Sequence, residues 1–177
     1  MCNDKVMRSV KGIYQRFVDF EEQAAAVYLQ MASRFSPENP DLGSLWLDMG
    51  IQEKQHAGLL QFCLAEGLFA ANLPSEAEIQ QAENLFASLE RQASNPDLTI
   101  DDAFEIAAEM EASEVNAIYD RLTTPVHDSK YLLRRKIATS LPGHVEHLFH
   151  EACKCNVSAR VLQKLERMAA IRRFCAL

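Results

Sequence analysis

The sequence predicts an all-α domain: a four-helix bundle with a long crossover between its second and third helices and an extra helix at the C-terminus. Three observations carry this. Apolar residues recur three and four positions apart along most of the 177 residues, which is the helical period. No run of alternating apolar and polar residues is long enough to compete as a strand. Carboxylates and histidines interrupt the apolar seams on four separate helical segments, at positions that a bundle turns inward.

The first helix is expected from Val6 to Arg34, ended by the breaker Ser36-Pro37-Glu38-Asn39-Pro40. The second begins at Asp41, read as its N-cap, and runs to Glu66, with Gly67 as its stop. The connection over residues 68–98 holds Leu73-Pro74-Ser75, a helix from Glu76 to Gln92, and a break at Asn95-Pro96-Asp97. Its length lets the third helix lie parallel to the second, where a short link would make them antiparallel. The third helix starts after Thr99, an N-cap, and continues to Leu122. A fourth spans Ser129 to Cys155, interrupted by Pro142-Gly143, and a last one covers Ser158 to Phe174. The last carries Val161, Leu162, Leu165, Met168 and Ala169 on one face, which can cover its own bundle or a neighbour's. The whole chain reads as a single domain over residues 1–177, with the bundle over 6–155.

Composition narrows the class. At 48% apolar residues with few glycines and prolines the chain is globular, and a net charge of −7 disfavours a nucleic-acid partner, which needs a basic surface. No signal peptide is expected from the start Met1-Cys2-Asn3-Asp4-Lys5, and no apolar run is long enough to span a bilayer. The five cysteines form neither an even set nor a Cys-x-x-Cys pair, so reduced thiols and a cytoplasmic location are expected.

The seam of the second helix reads Trp46, Met49, Glu53, His56, Leu60, Cys63. Glu53 and His56 thus occupy positions that hydrophobes fill elsewhere, one turn apart, where both can reach one ion. Phe17, Glu21, Ala24, Tyr28 and Met31 form a similar stripe on the first helix, and Phe104, Ala107, Glu111, Glu114 and Ile118 on the third. Glu105 and Glu109 fall on the solvent side of that helix. An unpaired buried carboxylate costs several kcal/mol, comparable to the stability of a whole domain, so several in one core require cations. Tyr28, if buried, needs a partner for its hydroxyl, and a ligand carboxylate can serve. On the fourth helix His144, Glu146, His147 and His150 are all candidates. His147 and His150 share a face, as do Glu146 and His150, whereas His144 reads as lying off it. Pro142 can kink the helix and change which of them turns inward.

Glu21-Glu22-Gln23-Ala24-Ala25-Ala26-Val27-Tyr28, Gln52-Glu53-Lys54-Gln55-His56-Ala57, Ala108-Glu109-Met110-Glu111-Ala112-Ser113-Glu114 and Leu148-Phe149-His150-Glu151 follow one another as the four motifs of a two-metal site. In this order the chain resembles the rubrerythrin branch of the ferritin-like superfamily, over residues 10–155. The resemblance implies a ferritin-like bundle holding two iron ions, with manganese or zinc as substitutes. It implies metal ligands at Glu21, Glu53, His56, Glu111, Glu114 and His150, with His147 standing where the family has glutamate and Glu146 as its alternative. Glu53 and either Glu111 or Glu114 would bridge the ions. Glu114 would shift with oxidation state, and Tyr28 would stand beside the reacting centre. The implied activity is reduction of hydrogen peroxide or dioxygen with electrons from ferrous iron, as a peroxidase or ferroxidase, in a homodimer. The family's iron–sulfur module is absent, since Cys153-Lys154-Cys155 does not supply it, so electrons would come from an external electron-transfer protein or from substrate iron. A non-catalytic metal-binding or stress protein of the same fold is the alternative. Hydroxylation of an organic substrate is a third possibility and would need an apolar channel to the metals.

Overall fold

The computed structural model describes residues 2–123 and 144–175, with side chains at 9–113, 118, 119, 121–123 and 144–170. Among them every regular element is helical: α1 (Cys2–Phe35), α2 (Pro40–Glu66), α3 (Glu76–Ala93), α4 (Ile100–Ala112), α5 (Glu114–Thr123), α6 (His144–Lys154) and α7 (Ala159–Cys175). The all-helical expectation holds at that level. Residues 129–143 of the expected fourth helix, Pro142-Gly143 included, lie outside the described residues. No helix among the described residues is long and apolar enough to cross a membrane.

The helix ends follow from local chemistry, and two differ from the sequence reading. α2 is capped by Asn39, not Asp41: the Asn39 side chain accepts from the Leu42 N–H at 3.1 Å, and Pro40 takes the first helical position, where no N–H is needed. At its far end Gly67 adopts φ 66°, a left-handed cap that favours glycine. Ser75 with Glu78 and Thr99 with Asp102 each form a reciprocal capping box at the starts of α3 and α4. The second difference lies beyond α4. One helix from Thr99 to Leu122 was expected, but the chain turns extended at Ser113 (φ −69°, ψ 154°) and restarts as α5. Ser113 Oγ donates to the Met110 carbonyl at 2.6 Å, a side-chain bond that competes with continuation of the helix.

Pairs of touching residues give the directions. Tyr28 stacks near Trp46, and Glu22 pairs with Lys54, so α1 and α2 are antiparallel, as the short link at residues 36–39 requires. Their approach is close at Gly43, where a Cβ would stand 2.8 Å from Ser36 Cα. Phe20 stacks on Phe86 and Gln30 reaches Ser94, so α3 runs along α1 in the same direction. Trp46 meets Phe104, and His56 meets Tyr119: α4 and α5 therefore run parallel to α2, as the long connection was read to allow. His144 meets Glu111 while Ser158 N–H bonds Asp101, which sets α6 antiparallel to α4. α7 then returns along α4, its Arg160 and Lys164 paired with Glu105. Glu105 thus faces a neighbouring helix rather than open solvent.

One buried tyrosine ties the connection to the helices. Tyr14 Oη donates to the Leu122 carbonyl and accepts from the Ala70 N–H, each at 2.8 Å. Burial pushes this phenol up to about 12, despite the Ala70 hydrogen bond that favours its ionised form. Between the four helices α1, α2, α4 and α6 the core is filled by Phe17, Tyr28, Met31, Trp46, Met49, Leu60, Phe104 and Leu148, all fully buried. Apolar walls of this kind leave any polar group among them dependent on a partner.

Candidate metal centre

Five ionisable side chains meet inside those walls. Glu21 comes from α1, Glu53 and His56 from α2, Glu111 from α4 and His144 from α6, and none is more than 5% exposed. Each sits on the apolar seam of its helix: Glu21 one turn after Phe17, Glu53 between Met49 and Ala57, Glu111 one turn after Ala107. The helices are held by their own hydrophobes, and the polar groups arrive at the centre as passengers on that packing.

The five fall into two overlapping triads. Glu21, Glu53 and His56 offer ligand atoms within 4.8 Å of one another, as do Glu53, Glu111 and His144. Glu53 belongs to both. His56 Nδ1 lies 2.8 Å from Glu53 Oε2 and 3.7 Å from Glu21 Oε2. His144 Nδ1 lies 3.2 Å from Glu111 Oε1 and 3.8 Å from Glu53 Oε1. The two imidazoles stack with centroids 5.5 Å apart, and Tyr119 lies against the His56 ring at 4.8 Å. Tyr28 Oη donates to Glu111 Oε1 at 3.4 Å, so the phenol has a carboxylate of the cluster as its partner.

Electrostatics favour the protonated forms of Glu53 and His56. The Glu53 carboxyl is pushed up to about 7, chiefly by burial and further by the charges of Glu21 and Glu111, with His56 partly opposing. Burial alone would lower His56, but its hydrogen bonds to Glu21 and Glu53 and their charges outweigh that and raise it to about 10. The protons so favoured on Glu53 and His56 are ones that a divalent cation would displace. Glu21 Oε1 and the Nε2 atoms of His56 and His144 are buried without a hydrogen-bond partner among the described residues. A buried carboxylate oxygen without a donor is costly in a folded core and is accounted for when it faces a cation.

The donor set suits such a cation. Carboxylate and imidazole together favour iron, manganese or zinc over calcium, which prefers oxygen alone, and over thiolate-loving copper(I). Each triad could therefore hold a metal ion, and Glu53 belongs to both.

The structure brings together Glu21, Glu53, His56 and Glu111 as read from the sequence, with Tyr28 beside them. It places the α6 residues differently. Val145, Leu148 and Ala152 define the buried face of α6, and His144, one turn before Leu148, joins it. His147 sits at the edge with its side chain 41% exposed, Glu146 and His150 are exposed, and none of the three takes part in either triad. The histidine that the sequence reading set aside is the one in the cluster, because the phase of α6 is fixed by its three apolar residues and not by the spacing of its histidines. That apolar phase was the available signal. Glu114 opens α5 directly after the break, and its side chain lies outside those described. A scan against protein-family models and searches of curated proteins and of solved structures found no match to this chain.

Proposed function

We propose that this chain is a ferritin-like, non-haem two-metal carboxylate protein of the rubrerythrin type, an oxidoreductase that reduces hydrogen peroxide or dioxygen with electrons from ferrous iron. One observation carries the reading: two buried triads, drawn from four helices, share Glu53. A structural ion needs one closed site, whereas overlapping triads place two ions close enough to act on one substrate. The parallel course of α4 and α2, which a long crossover permits, supports the ferritin-like part of the proposal.

Glu21, Glu53 and His56 would hold one ion, and Glu53, Glu111 and His144 the other. Two irons held there would supply the pair of electrons that reduces peroxide to water. The chain's part is positioning and proton control. Glu111 is held by Tyr28 through Oε1, which fixes the carboxylate and keeps a proton within reach of the site. His56 is held between the Tyr119 and His144 rings, which restricts its rotation. Apolar walls at Trp46, Met49, Phe104 and Leu148 exclude bulk water and so strengthen every charge interaction inside. Free thiols at Cys63, Cys153 and Cys155 fit a reducing, cytoplasmic setting, and the homodimer implied by the resemblance belongs to the same proposal. An external electron-transfer protein, or substrate iron itself, would supply the electrons.

The test is metal content with the ultraviolet-visible spectrum, before and after anaerobic ferrous loading and a peroxide pulse. About two irons per chain and a near-ultraviolet band that grows on peroxide addition are expected. His144→Ala should take up about half as much iron at the buried centre, while His150→Ala should keep both of its irons and the spectral band. No iron uptake, or one inert zinc per chain, overturns the enzyme reading and leaves the alternative of a non-catalytic ferritin-like metal binder.

A further inference from the structure

We propose that the outer face of α6 carries a second, solvent-facing site for a divalent transition metal, formed by His147, His150 and Glu151. These are ligand-type residues that the buried centre does not use. His147 Nε2 and Glu151 Oε1 stand 3.9 Å apart across one turn, and their side chains are 41% and 16% exposed. His150 is exposed and lies three residues after His147, one turn on, so both His150 and Glu151 flank His147 on the helix surface.

The distances suit chelation. Metal–nitrogen and metal–oxygen bonds of about 2.0–2.2 Å put two ligand atoms on one ion roughly 3–3.5 Å apart. Closing the 3.9 Å gap between His147 and Glu151 needs only a small side-chain rotation, and the exposed His150 side chain must turn in to join them. Glu151 is engaged by Lys154 at 2.7 Å, but that ammonium is 57% exposed, and an exposed pair of this kind contributes little. A dication with two imidazole ligands displaces it. Two imidazoles with one carboxylate select a borderline ion such as zinc or nickel over magnesium or calcium. The row Val145, Leu148 and Ala152 faces the core, so this site fills without opening the buried centre.

Zinc alone is the probe, added to the untagged full-length chain at neutral pH and followed by titration calorimetry. The parent should show a tighter set, the two steps of the buried centre, and beyond it a weaker class at the surface. The double variant His147→Ala/His150→Ala should lose the weaker class and keep the tighter. His150→Ala alone should weaken that class about tenfold or more, as expected when one of three ligands goes. Glu53→Gln should weaken the tighter class and leave the weaker unchanged, so failure at the surface and failure at the core are read separately. A second measurement does not depend on the core: the untagged parent should be retained on immobilised nickel and the double variant should not. A double variant that titrates or is retained like the parent overturns the site, and so does His150→Ala with unchanged affinity.

Discussion

At the scale of single residues, the centre is defined by protons that would not otherwise be there. Glu53 carries a carboxyl raised from 4.5 to about 7, and His56 an imidazole raised from 6.5 to about 10. Both folded values lie above their unfolded ones, so each group contributes stability that is present below its unfolded value and lost as pH rises through its folded one. For Glu53 the loss falls between pH 4.5 and about 7, and for His56 between pH 6.5 and about 10. The metal-free protein should therefore melt at a lower temperature at pH 9 than at pH 6, and Glu53→Gln should flatten the lower part of that slope. With a divalent ion in excess the trend should reverse, because the ion competes with those protons. Thermal melts at a series of pH values, with chelator and with zinc, check both. A metal-free melting temperature that rises steadily over that range would contradict the burial argument. Tyr28 gives a second prediction at this scale. Tyr28→Phe keeps the ring against Trp46 and removes the bond to Glu111, which should cost about 1 kcal/mol in urea unfolding.

At the scale of elements, each helix brings its ligand by means of its ends and its apolar phase. α4 depends on the capping box of Thr99 with Asp102, whose carboxyl is held below its usual range by the Thr99 hydroxyl and N–H. Thr99→Ala should cost about 1 kcal/mol, read from the urea midpoint, and it should loosen the first turn of the helix that presents Glu111. Much of this was legible in the sequence. Gly67, Ser75 and Thr99 mark helix limits by mechanisms that need no tertiary information. The seams of α1, α2 and α4 place Glu21, Glu53, His56 and Glu111 inward because long runs of hydrophobes fix their phase. α6 was not legible in the same way. It is short, its histidines fall on several faces, and only Val145, Leu148 and Ala152 report its phase. The break at Ser113 was hidden for another reason: serine is tolerated inside helices, and only the bond its hydroxyl makes to Met110 decides against continuation.

At the scale of the whole molecule, the centre joins parts of the chain that are far apart in sequence. Glu21, Glu53, Glu111 and His144 come from four helices, so an ion in one triad would tie α1 to α2 and an ion in the other would tie α2 to α4 and α6. Binding confined to the folded state adds about 2.7 kcal/mol when the free ion is at a hundred times its Kd. Removing metal with a chelator should therefore lower Tm, and restoring zinc or ferrous iron should recover it in a concentration-dependent way. His144→Ala should shrink that increment. A Tm indifferent to chelator would mean that the triads hold no ion in the folded protein. The surface pairs around α7, such as Arg160 with Glu105, are screened by solvent and should leave this dependence unchanged.

Glu53 serves both triads, and this sets how the centre would fill. The three described carboxylates, Glu21, Glu53 and Glu111, outweigh a first dication by one negative charge, but a second dication leaves one positive charge. The second ion also meets a carboxylate whose charge the first already engages. Occupancy should therefore proceed in two resolved steps, with the later one weaker, and a half-filled species should accumulate between them. Such a species gives the protein a route to a mixed centre, with one ion exchangeable while the other stays. An anaerobic titration showing a single steep step would mean instead that another negative group joins as the second ion arrives.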